Sequence, residues 1–148
     1  MFKDEDLMKN PFQTNMKFMQ NQEQSEFDKI LSILTTPSKS GIYISRYDIK
    51  DLANAIGVEV GIRERKEMLK DIFIYAKQMD KLKEMLDYII NFIDYRLSQY
   101  NDILCEFPSS KDFMETWILR AEKFKALIEK MKKELDMYPK DFLPPNMR

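Results

Sequence analysis

Residues 62–104 decide the fold, and they read IRERKEMLKDIFIYAKQMDKLKEMLDYIINFIDYRLSQYNDIL. Taking Ile62 as the first position of a heptad places apolar side chains at most of the a and d positions. The a positions hold Ile62, Leu69, Ala76, Lys83, Ile90, Leu97 and Leu104, and the d positions hold Arg65, Ile72, Met79, Leu86, Ile93 and Tyr100. This repeat predicts one very long helix, or two nearly collinear helices with a break within residues 78–81.

A second heptad pattern follows in residues 110–137, after Phe107 and Pro108 end the first. Its two apolar rows are Met114, Ala121, Ile128, Leu135 and Trp117, Phe124, Met131, Tyr138. A period of about 3.5 residues is typical of helices that pack at a shallow angle, and a short connection makes consecutive helices antiparallel neighbours. Two shorter amphipathic segments precede the long one. The sequence therefore predicts an all-α fold, an antiparallel helical bundle with two short N-terminal helices and a long helical hairpin.

Three helix starts carry the same local signal, a serine followed three residues later by an aspartate. The pairs are Ser25 with Asp28, Ser45 with Asp48, and Ser109 with Asp112. In such a capping box the serine hydroxyl accepts from a free N–H of the first turn, and the carboxylate bonds back to the cap. Gly57 follows the second short helix, where a left-handed residue often ends a helix.

The two ends of the chain differ in composition from the middle. We predict a flexible N-terminal arm at 1–24, a helical bundle domain at 25–138 and a proline-containing C-terminal tail at 139–148. In the arm, Phe12, Met16 and Met19 fall at helical spacing, which is compatible with a frayed end or with a short amphipathic helix that folds on binding. The tail alternates apolar residues with prolines, as recognition peptides do. A strap packed over the end of the bundle is the alternative for the tail.

The central part of the long helix is apolar around most of its circumference. The residues outside the heptad rows are Phe73, Tyr75, Leu82, Met85, Tyr88, Ile89, Phe92 and Tyr95. Such a helix is normally buried on all sides, so either the short helices fold over it or another molecule covers it. We predict that a partner is bound by Met85, Tyr88, Phe92, Tyr95, Phe142 and Leu143. The first four of these also predict a homodimer.

Two rows of carboxylates run beside the apolar rows of the predicted hairpin. They are Asp80, Asp87 and Asp94 on the long helix, and Glu115, Glu122, Glu129 and Asp136 on the last helix. Facing like charges would oppose pairing. Three arrangements remain open: a third element between the rows, a different register, or a divalent cation. The cation is the least favoured, because di-iron bundle sites also use histidine and this chain has none.

Composition argues against most catalytic chemistries. Without histidine, the chain lacks the commonest general base and the usual partner of a serine or cysteine nucleophile. The single cysteine, Cys105, lies near a helix C-terminus beside Glu106, where a thiolate is disfavoured. No glycine-rich phosphate loop is present. We therefore expect a protein that is not an enzyme and that uses no cofactor and no metal.

Charge and hydropathy bear on partners and location. The chain has 24 Lys and Arg against 25 Asp and Glu, whereas nucleic-acid binders usually carry a basic excess. No apolar run reaches the roughly 20 residues that span a bilayer. The first residues are acidic where a signal peptide would be basic. We expect a cytoplasmic protein that binds another protein or itself, with no membrane partner.

The function these features favour is a non-catalytic protein-binding module, such as an adaptor, an assembly factor or a dedicated chaperone. The alternative is a DNA-binding regulator, because residues 49–68 have a weak helix-turn-helix-like pattern. In that interpretation Arg63, Arg65 and Lys66 would contact the nucleic acid, although neighbouring glutamates offset their charge. A helical enzyme with a carboxylate cation site is the third possibility.

Overall fold

The computed structural model describes residues 26–137, which contain α-helices and one 3-10 turn but no strand. The helices are α1 (residues 26–34), α2 (Pro37–Ser40), α3 (Arg46–Ile56), α4 (Arg65–Gln78), α5 (Leu82–Glu106) and α6 (Lys111–Met137). The 3-10 turn, Pro108–Ser110, joins α5 to α6. The prediction of an all-α fold is confirmed.

Helices α5 and α6 pack along each other, and three ion pairs give their direction and register. Lys125 contacts Asp94 at 2.7 Å, Lys132 contacts Asp87, and Lys83 contacts Asp136 at 2.9 Å. Each step backward along α5 is matched by an equal step forward along α6, as an antiparallel pair requires. The hydrogen bond to Asp94 raises the pKa of Lys125. Lysines from the opposite helix thus stand beside the carboxylate rows, so no third element is needed to separate these charges.

The long heptad segment contains two helices, because α4 ends at Gln78 and α5 begins at Leu82. The break has the pattern of a Schellman motif, since the Lys81 N–H donates to the Ala76 carbonyl at 2.7 Å. Asp80 takes the left-handed conformation, with φ 59°. Aspartate tolerates this conformation better than most residues. The Lys81 ammonium donates to the Ile56 carbonyl at 2.9 Å, which ties the break to the end of α3.

The capping box at Ser45 is confirmed. The Asp48 N–H donates to the Ser45 hydroxyl at 3.1 Å, and the Ser45 N–H donates to the Asp48 carboxylate at 2.8 Å. Gly57 ends α3 with φ 85°, as predicted. The predicted cap at Ser25 lies outside the described residues. The third predicted helix start was at Ser109 and Asp112. There, the 3-10 turn Pro108–Ser110 precedes α6, and the Ser110 hydroxyl donates to the Phe107 carbonyl at 2.7 Å.

One core forms where α1, α3, α4 and the middle of the hairpin meet. Its fully buried side chains include Leu34, Ile49, Leu69, Leu86 and Ile128. Phe27 of α1 stacks on Phe73 of α4, with ring centroids 3.9 Å apart. The short helices therefore cover much of the apolar circumference that the sequence displayed. This packing buries apolar area, which stabilises the fold.

Beyond the core, the tip of the hairpin has exposed apolar side chains. Ile103, Phe107 and Phe113 are 40%, 59% and 66% exposed. Within residues 26–137, no helix combines the length and the hydropathy that crossing a membrane requires.

Candidate protein-interaction surface

The segment 41–44 lies between α2 and α3 in the chain and contacts both helices of the hairpin. Gly41 has φ 75° and lies against the backbone of α6, so a Cβ atom there would be 2.5 Å from the Trp117 carbonyl oxygen. Ile42 and Ile44 are fully buried, whereas Tyr43 between them is 55% exposed. This alternation is that of an extended chain, and it directs Tyr43 away from the core.

Arg65 holds this segment in place from the first residue of α4. Its guanidinium donates to the Ile44 carbonyl at 2.8 Å and to the Thr35 carbonyl at 3.1 Å. The same group lies 4.6 Å from the centre of the Tyr43 ring, within the range of a cation–π contact. Arg65 is therefore a structural clamp that orients Tyr43.

Beside Tyr43, the end of α5 and the segment 41–44 form an open depression of about 550 Å³. It is lined by Tyr43, Arg96, Gln99, Tyr100, Asp102 and Ile103. The Tyr100 hydroxyl donates to the Gly41 carbonyl at 2.6 Å. Burial raises the pKa of Tyr100 above its ordinary value. The walls of the depression are thus fixed by contacts between elements distant in sequence.

Arg96 is held in one orientation at the edge of the depression. Its guanidinium donates to the Gln99 side-chain oxygen at 2.7 Å and lies 3.7 Å from the Asp48 carboxylate. It also lies 5.0 Å from the ring centre of Phe92 and 5.9 Å from that of Tyr95. Tyr95 itself is 62% exposed.

We call this region the Tyr–Arg surface, defined as Tyr43, Tyr95, Arg96, Tyr100 and Ile103. It combines exposed tyrosine rings, a guanidinium with several partners and an apolar side chain, and four of its five residues line the depression, with Tyr95 next to Arg96. Tyrosine and arginine are enriched among the residues that dominate protein–protein binding energies. The arrangement suits the binding of a polypeptide.

The partner-binding residues predicted on the long helix do not share one exposed face. Met85 is only 1% exposed and belongs to the core. Tyr88 and Phe92 are half-buried, and burial, together with the nearby Asp51 and Asp48 carboxylates, raises the pKa of Tyr88. Among these four residues, Tyr95 is the exposed one. Phe142 and Leu143 lie outside the described residues.

The three basic residues of the predicted nucleic-acid site have different surroundings in the structure. Arg63 pairs with Asp71 at 2.8 Å and with Glu67 at 3.6 Å. Arg65 is the clamp described above, with both of its bonds directed at carbonyls of its own chain. Lys66 is half-buried. The segment 57–64 between α3 and α4 is also longer than the connection of about three to four residues in a helix-turn-helix.

Among residues 26–137, no group of three or more Cys, Asp or Glu side chains is arranged to hold a metal ion. Cys105 is exposed near the hairpin tip.

Sequence reasoning placed Tyr95 on the predicted partner face but did not group it with Arg96, Tyr43 and Ile103. The signal for Tyr43 was present, because it is the outward residue between two buried isoleucines. For Arg96 no sequence signal exists, since a single arginine on a helix is common and its stacking depends on the neighbouring rings and on Asp48.

Comparisons with models of known protein families, with curated proteins and with solved structures found no match to this chain in any of the three.

Proposed function

We propose that this chain is a non-catalytic protein-binding module, of the adaptor, assembly-factor or dedicated-chaperone type, and that it binds its partner through the Tyr–Arg surface. The observation that supports this most is the pairing of Tyr95 with Arg96 beside a concave centre. An exposed tyrosine ring contributes a large contact area with few rotatable bonds. A guanidinium already held by Gln99 and Asp48 loses little further freedom on binding.

The chemistry of the surface indicates the kind of partner it suits. The rings of Tyr43 and Tyr95 and the Ile103 side chain offer apolar contact. Arg96 supplies a cation with N–H donors for a carbonyl or carboxylate. A polypeptide segment with an apolar anchor next to an acceptor group fits this combination. We expect the encounter to take place in the cytoplasm.

A second copy of the chain is one possible partner, and the predicted homodimer is retained in a revised form. Because Met85 is buried, the contact would be made by Tyr95 and its exposed neighbours rather than by the face predicted from sequence. Static light scattering at high micromolar concentration measures this directly. A monomer at that concentration would exclude self-association as the function.

The DNA-binding alternative has less support from the packing. The Arg65 guanidinium donates to the carbonyls of Ile44 and Thr35, and Arg63 is paired with acidic residues of α4. The third possibility, a helical enzyme with a cation site, also has little support, because residues 26–137 contain no group of three or more Cys, Asp or Glu side chains arranged to hold a metal ion.

The test is affinity capture of the tagged full chain from a lysate of its source organism, with and without nuclease. The chain is compared with a Tyr95→Ala variant and with an Ile62→Ala variant. Ile62 is 73% exposed and lies outside the Tyr–Arg surface, so it controls for the loss of an exposed apolar side chain. Truncating a dominant contact costs about 2 kcal/mol or more, which corresponds to a loss of affinity of roughly 30-fold.

We expect one stoichiometric protein partner that survives nuclease, is retained by Ile62→Ala and is lost by Tyr95→Ala. Equal retention by both variants would show that the partner binds elsewhere. Loss of all partners with nuclease would favour the DNA-binding regulator. Recovery of the tagged chain alone, as a monomer, would contradict the protein-binding function.

A further inference from the structure

Another concave feature lies between α1 and α6. It is an apolar groove of about 240 Å³. Its lining residues are Glu26, Lys29, Ile30, Ile33, Leu127, Lys130, Met131 and Glu134. The two isoleucines, Leu127 and Met131 provide apolar contact, while two glutamates and two lysines supply charges of both signs. The groove shares no residue with the Tyr–Arg surface.

The position of the groove follows from the direction of α1. Gly41 lies against Trp117 and Ala121 of α6, whereas residues 26–33 line the same groove as residues 127–134. The stretch from α1 to Gly41 therefore runs antiparallel to α6, with α1 beside the C-terminal part of α6. The groove lies beside the last turns of α6, and residues 138–148 follow this end of α6 in the sequence.

The sequence that follows α6 suits this groove. Pro139 cannot continue a helix and disfavours helical geometry at the residue before it, so the sequence favours an end of the helix at this point. Phe142 and Leu143 come next, as an adjacent pair of large apolar side chains. Pro144 and Pro145 follow them and restrict the backbone, which lowers the entropy cost of ordering the segment.

The distances also agree. Met131 lies six residues before Met137, which is roughly 9 Å along the helix axis at about 1.5 Å per residue. Phe142 and Leu143 lie three and four residues after Pro139, and extended segments of those lengths reach at most about 11 Å and about 14 Å. A reversal at Pro139 therefore brings the Phe142 and Leu143 side chains within reach of the groove.

We propose that residues 139–148 fold back along α6 within the same molecule and place Phe142 and Leu143 in the groove lined by Ile30, Ile33, Leu127 and Met131. These two side chains then belong to the chain's own fold and are not part of its partner surface. In this arrangement Lys140 and Asp141, which precede Phe142, lie near the glutamates and lysines that line the groove.

The arm at residues 1–24 is a less suitable occupant. It enters α1 with no proline or glycine between Phe12 and Ser25, so nothing in its sequence forces the chain to reverse. The segment after α6 has such a residue at the required position, Pro139.

The test measures paramagnetic broadening of methyl signals in the full chain. A nitroxide is attached at position 146 of an Asn146→Cys, Cys105→Ser chain, and the isoleucine and methionine methyl groups carry the isotope label. We expect the signals of Ile30, Ile33 and Met131 to lose most of their intensity, and that of Ile103 at the hairpin tip to remain. Adding Phe142→Ser and Leu143→Ser should restore the groove signals while all other methyl shifts stay those of the folded protein.

Three results would overturn the proposal. Groove signals unaffected by the nitroxide at position 146 would place the segment elsewhere. Broadening from a nitroxide at position 17, in a Lys17→Cys, Cys105→Ser chain, with none from position 146, would assign the groove to the N-terminal arm. Broadening in a mixture of spin-labelled chains with separate isotope-labelled chains would show that the segment is exchanged between copies.

Discussion

Replacement of Gly41 by alanine should be among the most damaging single-atom changes in this protein. An alanine Cβ would lie 2.5 Å from the Trp117 carbonyl oxygen and 2.6 Å from the Ala121 nitrogen. Both are backbone atoms of α6, so neither can rotate away. The residue also has φ 75°, which costs a residue other than glycine about 1–2 kcal/mol. Forcing an extra carbon into a packed contact costs about 1–3 kcal/mol more.

The expected loss of unfolding free energy for Gly41→Ala is therefore about 2–5 kcal/mol. Urea unfolding followed by far-ultraviolet circular dichroism measures it. The fluorescence of Trp117, the only tryptophan in the chain, reports on the contact itself. If the segment 41–44 is pushed off α6, the Tyr100 hydroxyl also loses its acceptor on Gly41.

The two other glycines are matched controls. Gly57 has φ 85°, but the atom nearest to an added Cβ would be the Lys81 ammonium nitrogen, at 3.7 Å. Gly57→Ala should therefore show the conformational cost alone, about 1–2 kcal/mol. Gly61 has no atom within 4 Å of an added Cβ, and Gly61→Ala should stay within about 0.5 kcal/mol of the parent. A Gly41→Ala chain no less stable than Gly57→Ala would refute the close approach of segment 41–44 to α6.

Two further predictions concern the clamp and the depression. Arg65→Lys keeps the charge but loses the flat, forked donor group, so urea unfolding should show a loss of about 1–3 kcal/mol, whereas Lys66→Gln should change little. If Arg65→Lys bound duplex DNA more weakly at low salt while its stability was unchanged, that result would instead support the DNA-binding alternative. Burial raises the pKa of Tyr100 above the ordinary 10.0, so the unfolded chain releases this proton first as pH rises. Stability should then be intact below about pH 10 and fall as the pH rises above it. Tyr100→Phe should lose about 1 kcal/mol at neutral pH and show a shallower fall above about pH 10. Tyr47→Phe, at a side chain 83% exposed, is the control, and an equal alkaline fall in both variants would contradict the role of Tyr100.

The helical class and several local features, such as helix ends and inward-facing rows, were predictable from the sequence because they depend on residues close together in the chain. The capping box joins Ser45 to Asp48 across three residues, and the left-handed end at Gly57 needs only the absence of a Cβ atom. The rows of α6 predicted Ala121, Phe124 and Ile128 as inward-facing, and all three are buried.

The break between α4 and α5 was predictable only as one of two options. Neither glycine nor proline marks it, and the left-handed residue is Asp80. The d row continues through the break with Met79 and Leu86, so periodicity alone does not distinguish one helix from two. The contact between Lys81 and the Ile56 carbonyl, which fixes the break against α3, joins residues far apart in sequence.

The carboxylate rows show the same limit. Sequence periodicity placed Asp87 and Asp94 on one row and Glu129 on the other, and it predicted that like charges would face each other. It did not show that Lys125 and Lys132 reach across from α6. That depends on the register of the hairpin, which is set by the packing of the whole core.

The sequence by itself determined the helical class, the approximate positions of the helices, two of their ends and the lack of histidine-based chemistry, because each of these follows from composition or from residues within one or two helical turns. Only the tertiary structure decided which apolar side chains remain outside. Met85 and Tyr95 look equally suited to contact on a helical pattern, yet Met85 is buried in the core that α1, α3 and α4 form with the hairpin, and Tyr95 is exposed. The Tyr–Arg surface arises from the same cause, since Tyr43 and Arg96 are brought together by buried contacts that no local pattern records.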